Sequence, residues 1–292
     1  MYELIRAGER SWYIESPARV GLVQLNEQEV VLIDGGGDKD AGRKLRQVLD
    51  ARGWKLRAIC CTHSHADHIG GCKYLQSQTG CAVYAPGMER DFTEHTLLEP
   101  ALLYGGLPPA ELRHKFLLAQ GCSAAPLSPA VLPEGLELIP LPGHSFDMVG
   151  FRTRDNVVYL ADALSSRETL EKYRIGYLWD VGAYLDTLER IKTMEAALFV
   201  PAHAPATADI RELAQYNIDA VNEIAERIAD FCGSGTGFDG LLQRLFQHYG
   251  LAMNFQQHAL VGSTVRSYLS WLKAQGRVSA RFENQLLLWE KI

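Results

Sequence analysis

No stretch of this 292-residue chain stays apolar for the roughly 18 residues that a membrane-crossing helix needs. The opening residues also lack the apolar core of a secretory signal, because Glu3, Arg6, Glu9 and Arg10 interrupt it. No membrane partner and a cytoplasmic location are the expectations. Basic charge is short as well. Lys and Arg number 29 against 35 Asp and Glu, a net charge of −6, so the molecule as a whole does not attract nucleic acid or anionic lipid. Cysteine is sparse: six residues, none in a C-x-x-C pair. That argues against a knuckle-type zinc site and, in so long a chain, against a disulfide scaffold. Cys60 and Cys61 close an apolar run, where buried reduced thiols are common. Internal repeats and low-complexity tracts are missing too.

What is there reads as an α/β protein long enough for two domains. "ARVGLVQLNEQEVVLIDGGG" reads as two strands ending at Asp34, and "DAGRKLRQVLDARG" as an amphipathic helix stopped by Gly53. "KLRAICCTH" is a buried strand, "GGCKYLQSQTG" a helix and "CAVYAP" the next strand. From about 88 to 129 the strand rhythm stops, and this helical stretch, broken at "YGGLPPAEL", reads as an inserted lid. Strands return with "LELIPLPGH", "MVGFRT", "NVVYLADA" and "AALFVPAH".

The boundary is expected near 207/208. Beyond it a long helix, the turn "GSGTG", three helices and a terminal hairpin give a winged-helix pattern. From Gly240 onward six basic residues (Arg244, Arg266, Lys273, Arg277, Arg281, Lys291) face two acids, Glu283 and Glu290, so this part could contact phosphates. Packing against the first domain, or a homodimer contact, is the plainer role.

The densest chemistry is "CCTHSHADHIGG", which holds three of the nine histidines within six residues. In an extended loop His63 and His65 point the same way, and Asp67 and His68 turn elsewhere. His144, Asp162 and His203 each follow a further expected strand, so all seven side chains meet at one sheet edge. Imidazole and carboxylate bind zinc, manganese or iron, and seven ligands exceed one tetrahedral ion. Two divalent ions are implied, Zn2+ foremost, with Fe or Mn served by the same donors. Tyr173, Tyr177 and Trp179 are candidates for a substrate pocket.

H-x-H-x-D-H with a later histidine, aspartate and histidine resembles the metallo-β-lactamase superfamily. The resemblance covers about the first 205 residues and implies an αββα sandwich. It implies a first metal on His63, His65 and His144, a second on Asp67, His68 and His203, and Asp162 bridging both. Asp34, with Thr62 beside the motif, would orient ligands from behind. Asp162 stands where the best-known β-lactamases have cysteine, which turns the expectation from antibiotics toward the thioesterase and ribonuclease branches. "PAHAP" replaces the commoner "PGHGP" around His203. The domain order resembles the lactamase-like subgroup that includes RNA endonucleases.

Hydroxide held between two cations would attack a carbonyl carbon or phosphorus, with Asp67 orienting it or moving a proton. A small acyl substrate (thioester, lactone or related ester) is expected first. A phosphodiester such as RNA comes second, and a ligand-sensing nucleic-acid-binding protein without turnover third.

Overall fold

The computed structural model describes residues 2–292. Its first half builds a seven-stranded sheet in chain order: β1 (Glu3–Arg6), β2 (Ser11–Glu15), β3 (Val20–Gln24), β4 (Glu29–Ile33), β5 (Lys55–Cys60), β6 (Ala82–Ala85) and β7 (Ala125–Pro126). The first four form an antiparallel meander, and β4 to β7 run parallel. Parallel neighbours need crossovers. These are α1 (Lys39–Ala51), then α2 (Ala66–Ile69) with α3 (Cys72–Thr79), then the inserted segment, whose helices are α4 (Glu89–Glu94) and α5 (Leu98–Tyr104). Asp38 caps α1 by accepting the Ala41 N–H at 2.9 Å.

A second sheet holds β8 (Leu136–Pro140), β9 (Val149–Thr153), β10 (Val157–Ser165) and β11 (Leu198–His203) in the order β11-β10-β9-β8. Its β10 and β11 are parallel, joined through α6 (Arg167–Tyr173) and α7 (Val181–Thr193). Three apolar clusters explain the layering. Leu22, Leu32 and Ile59 of the first sheet pack on Leu45 and Leu49 of α1 and Leu75 of α3. Val31, Ile33 and Cys60 meet Phe151, Val157 and Tyr159 of the second sheet. The other face of that sheet, with Val158 and Leu160, packs on Leu188 of α7 and on the C-terminal helices. Helix, sheet, sheet, helix is the resulting order, an α/β sandwich.

The chain continues as α8 (Arg211–Cys232), β12 (Thr236–Gly237), α9 (Phe238–Tyr249), α10 (Phe255–Ala274), β13 (Val278–Glu283) and β14 (Leu286–Lys291). The three strands form a sheet in the order β12-β14-β13. The core of the second sheet runs on without interruption into Ile228, Leu245 and Leu269 of these helices.

Three local expectations are corrected, and two strands are added at the start of the chain. The three helices expected after the glycine turn are two, because "NFQQHAL" and "STVRSYLSWLKA" form one helix capped by Asn254. The "GSGTG" turn ends in β12, paired with β14. The end of the inserted segment joins the first sheet as β7. β1 and β2, whose charged residues hid them in the sequence, add two strands to the meander. None of the described helices is long and apolar enough to cross a membrane.

Leu269 is fully buried between α10 and the second sheet's core. Leu269→Ala should lower unfolding free energy by about 2–5 kcal/mol. It should do so in a single transition followed by both tryptophan fluorescence and circular dichroism during urea unfolding.

Candidate metal centre

One edge of the sandwich collects the chemistry. Asp34 follows β4, Thr62 to His68 follow β5 into α2, His144 lies between β8 and β9, and His203 ends β11. Asp162, expected after its strand, lies within β10 beside a register irregularity at Ala161, because the strand runs on to Ser165. Two glycine runs hold this edge together. A Cβ on Gly70 would sit 2.2 Å from the Gly37 carbonyl oxygen, and one on Gly71 at 2.2 Å from that of Gly35. Backbone therefore crosses backbone, and this close approach is what Gly70 and Gly71 supply. Asp34 at φ 69° and Ala161 at φ 48° are non-glycine residues in the left-handed region, the first just after β4 and the second at the irregularity within β10, next to Asp162.

The Asp34 carboxylate ties the edge. It accepts the Thr62 backbone N–H at 2.7 Å, the Thr62 hydroxyl at 2.9 Å and His68 Nδ1 at 2.8 Å. Because Thr62 gives its proton to Asp34, its oxygen accepts from His63 Nδ1, 3.0 Å away. His144 Nδ1 donates to the Tyr177 carbonyl at 3.1 Å. These partners fix the tautomers, leaving lone pairs on Nε2 of His63 and His144, and on that of His68 once a cation takes the place of its proton.

His65 Nδ1 lies 3.1 Å from His63 Nε2 and 3.0 Å from His144 Nε2. Bare lone pairs at such separations repel, and only a proton or a cation among them removes the conflict. Ligands on one ion with bonds of roughly 2.0–2.1 Å have comparable separations. Asp67, His68, Asp162 and His203 form a second group of converging donors. His203 Nε2 is 3.1 Å from Asp67 Oδ2 and 3.3 Å from Asp162 Oδ2, and Asp162 Oδ2 is also 3.5 Å from His144 Nε2. Asp162 thus touches both groups. His68 Nε2 and Asp162 Oδ1 are buried and lie 3.0 Å apart, yet they are not aligned as a hydrogen bond and have no other partner among the described residues. Two orphaned donors and three facing lone pairs fit divalent cations.

Charge divides the groups. Burial, reinforced by His68 and His65, pushes His63 well below the usual imidazole value. Burial lowers His65 and His144 to about 4. Burial is the largest single influence on His68 and His203 too and lowers both, but the carboxylates of Asp162 and Asp67, with Asp34 for His68, together outweigh it, so His68 is raised well above the usual value and His203 to about 10. Against the same burial, the two imidazoliums hold both carboxyls below the ordinary range, His68 ahead of His203 for Asp67 and the reverse for Asp162. Asp67, at 46% exposed, is the open side of the cluster.

All seven expected donors are brought together. Tyr177 joins them, its ring 5.2 Å from that of His65. Tyr173 does not: it is 52% exposed, under Lys172, so its assignment to the pocket is corrected. Trp179 stacks on Phe146 at 4.2 Å and borders none of the cavities beside the cluster. Cys61 is buried, its Sγ 3.9 Å from that of Cys72. The sequence reading missed Glu89. This fully buried carboxylate accepts from Ser64 N at 3.0 Å, Ser64 Oγ at 2.5 Å, Ser145 Oγ at 2.8 Å and Asp147 N at 3.1 Å. It clamps the loop of His63 and His65 to the loop of His144.

The fold and the converging donors are those of a metal-dependent hydrolase. A family model described as the metallo-beta-lactamase superfamily matches residues 14–203, and the chain belongs to that superfamily as a hydrolase. Among solved structures, a beta-lactamase domain protein from Burkholderia ambifaria aligns over 99% of this chain and 94% of its own, with TM-score 0.72 and 16% identity. A metallo-beta-lactamase family protein from Thermus thermophilus aligns over 94% of both chains, with TM-score 0.72 and 18% identity. At these identities the likeness shows the fold alone. Hydroxyacylglutathione hydrolases match over short stretches. That of Methylobacillus flagellatus is 48% identical over 50 residues, 17% of this chain and 20% of the relative. That of Methylococcus capsulatus is 46% identical over 44 residues, 15% and 17%. The matched stretch is about a fifth of these curated relatives' length.

Two outcomes are expected. Below 6.5, the ordinary histidine value, the unfolded chain binds protons that native His65 and His144 refuse until about 4. Between 6.5 and about 10 the native state keeps a proton on His203 that the unfolded chain has lost. Stability of the metal-free protein should therefore peak near pH 6.5 and fall on both sides, seen as urea midpoints in chelator from pH 4 to 10; a flat profile would contradict this. Glu89→Ala leaves the Ser64 and Asp147 N–H groups without their acceptor, at about 1–3 kcal/mol for each group left buried, and should weaken Zn2+ binding by about 10–100-fold in a chelator competition.

Proposed function

We propose that this chain is a dinuclear metal-dependent hydrolase of small acyl compounds, a thioester or related ester. His63, His65 and His144 would hold one ion, Asp67, His68 and His203 the other, with Asp162 shared and Zn2+ first among the metals. Bound there, two divalent cations would acidify a shared water to near neutrality and polarise the carbonyl. Asp67, at the open side, orients the attacking water. Attack forms a carbon–oxygen bond, the carbon–sulfur bond breaks, and a proton from the water ends on the leaving thiolate.

The observation that carries the acyl reading is the charge of the cleft. Cavities of about 170 and 230 Å³ flank Asp67 and Phe116, enough for the two arms of an ester. The single cation lining them, Lys115, is paired with Asp38 at 3.0 Å, and besides His65 the lining carries the acids Asp38, Asp67 and Glu99. A polyanion would meet repulsion there. Arg113, the other basic residue of that loop, donates to the Pro108 carbonyl. The relatives' name, hydroxyacylglutathione hydrolase, supports the same class of substrate.

A second reading, phosphodiester hydrolysis, draws on the C-terminal part, whose helices α8 to α10 and three-stranded sheet support a winged-helix reading. Its basic residues are largely engaged, Arg277 with Glu226, Lys291 with Asp230 and Arg281 with Glu283 and Glu290. That favours a packing role for this part.

Initial rates on a generic thioester and a generic phosphodiester, with Zn2+-loaded protein, decide between them. Thioester turnover is expected, reduced about 100-fold or more in Asp67→Ala. Turnover of the phosphodiester alone would overturn the acyl reading.

A further inference from the structure

The cavity under the lid contains one group that hydrolysis itself does not require. Its inner end reaches His65 and Asp67, its walls include Leu103, Leu117 and Leu260, and Glu99 projects among them from the first turn of α5. An acid in a helix's first turn is ordinary when it faces solvent. Here it lies in an apolar wall, and no described side chain or backbone N–H is hydrogen-bonded or ion-paired to it. Its charged neighbours, Asp67 and Glu89, are themselves acidic, with His68 the one basic neighbour. A half-buried carboxyl without a partner carries a desolvation cost that a complementary ligand group would relieve. The wall is otherwise closed by packing: Leu103, Leu112 and Leu117 of the lid seat on Ala259 of α10.

We propose that the cavity under the lid binds the acyl arm of the substrate and selects one that carries an ammonium or another N–H donor, with Glu99 as its acceptor. The inference rests on the acyl-hydrolase reading above. The cavity's roughly 170 Å³ corresponds to about six water-sized groups, a short chain of atoms beyond the scissile carbonyl. The larger cavity on the far side of Phe116, bordered by Gly36, Gly37 and Lys115, takes the leaving group. Anionic acyl arms are disfavoured, because Glu99 and Asp67 both face them.

The test uses the full-length, Zn2+-loaded protein and three N-acetylcysteamine thioesters of similar length: 3-aminopropanoyl, butanoyl and succinyl. For the wild type, kcat/KM is expected to fall in that order. In Glu99→Gln the preference for aminopropanoyl over butanoyl should drop about tenfold or more, the loss of a charge-assisted hydrogen bond. A wild-type preference for butanoyl or succinyl, or a ratio unchanged by Glu99→Gln, overturns the proposal. Isothermal titration with n-butylammonium supplies a readout independent of turnover. Wild type should bind it about tenfold more tightly than Glu99→Gln, and equal binding overturns the proposal. If no thioester is hydrolysed but butylammonium binds through Glu99, the acyl-hydrolase reading fails while the cation pocket stands. The melting temperature of Glu99→Gln confirms that the variant is folded.

Discussion

The site depends on one buried carboxylate. Asp34 accepts three hydrogen bonds that join the end of β4 to Thr62 after β5 and to His68 on α2. Through the Thr62 hydroxyl the same carboxylate sets the tautomer of His63. One acid thereby aims the Nε2 of an imidazole into each group of donors. The close crossing of Gly35–Gly37 with Gly70–Gly71 makes these short bonds attainable, since any larger residue would force the two loops apart. Low dielectric around such a node strengthens each bond and raises the cost of losing one.

Opposed electrostatics follow from this geometry. Three imidazoles are kept neutral by burial, while two others are kept charged by Asp67 and Asp162. Without cations the site is a compromise between crowded lone pairs and buried ion pairs, neither of which a folded core favours on its own terms. Divalent cations would replace the protons on His68 and His203, so their binding releases protons at neutral pH.

Much of this was legible in the residues. The spacing of His63, His65, Asp67 and His68, with His144 and His203 at or after strand ends, located the edge, although Asp162, expected after its strand, lies within β10, whose last residues run on past it to Ser165. Glu89 was not legible. It reads as a surface acid of an inserted helix, and its four partners lie on loops 25 and more than 50 residues away. Nor was the continuity of α10, since Gly262 and Ser263 look like a break. Gly262 is buried there, a Cβ's width from Phe238 and Leu242, so packing overrides its low helix propensity. Tyr173 and Trp179 show the converse: aromatic richness near a site does not say which rings face it.

The same α10 gives the inserted segment its footing. Its first turns carry Ala259 and Leu260 under Leu103, Leu112 and Leu117, and its later turns, through Val265 and Leu269, belong to the core of the second sheet. The segment has a second footing at its start, where Glu89 of α4 is bonded to the loops that carry His63, His65 and His144. One inserted stretch thus spans from the donor-bearing edge to the shared helix, so a displacement of α10 in the core has a covalent and packed route to the cavity wall beside His65 and Asp67.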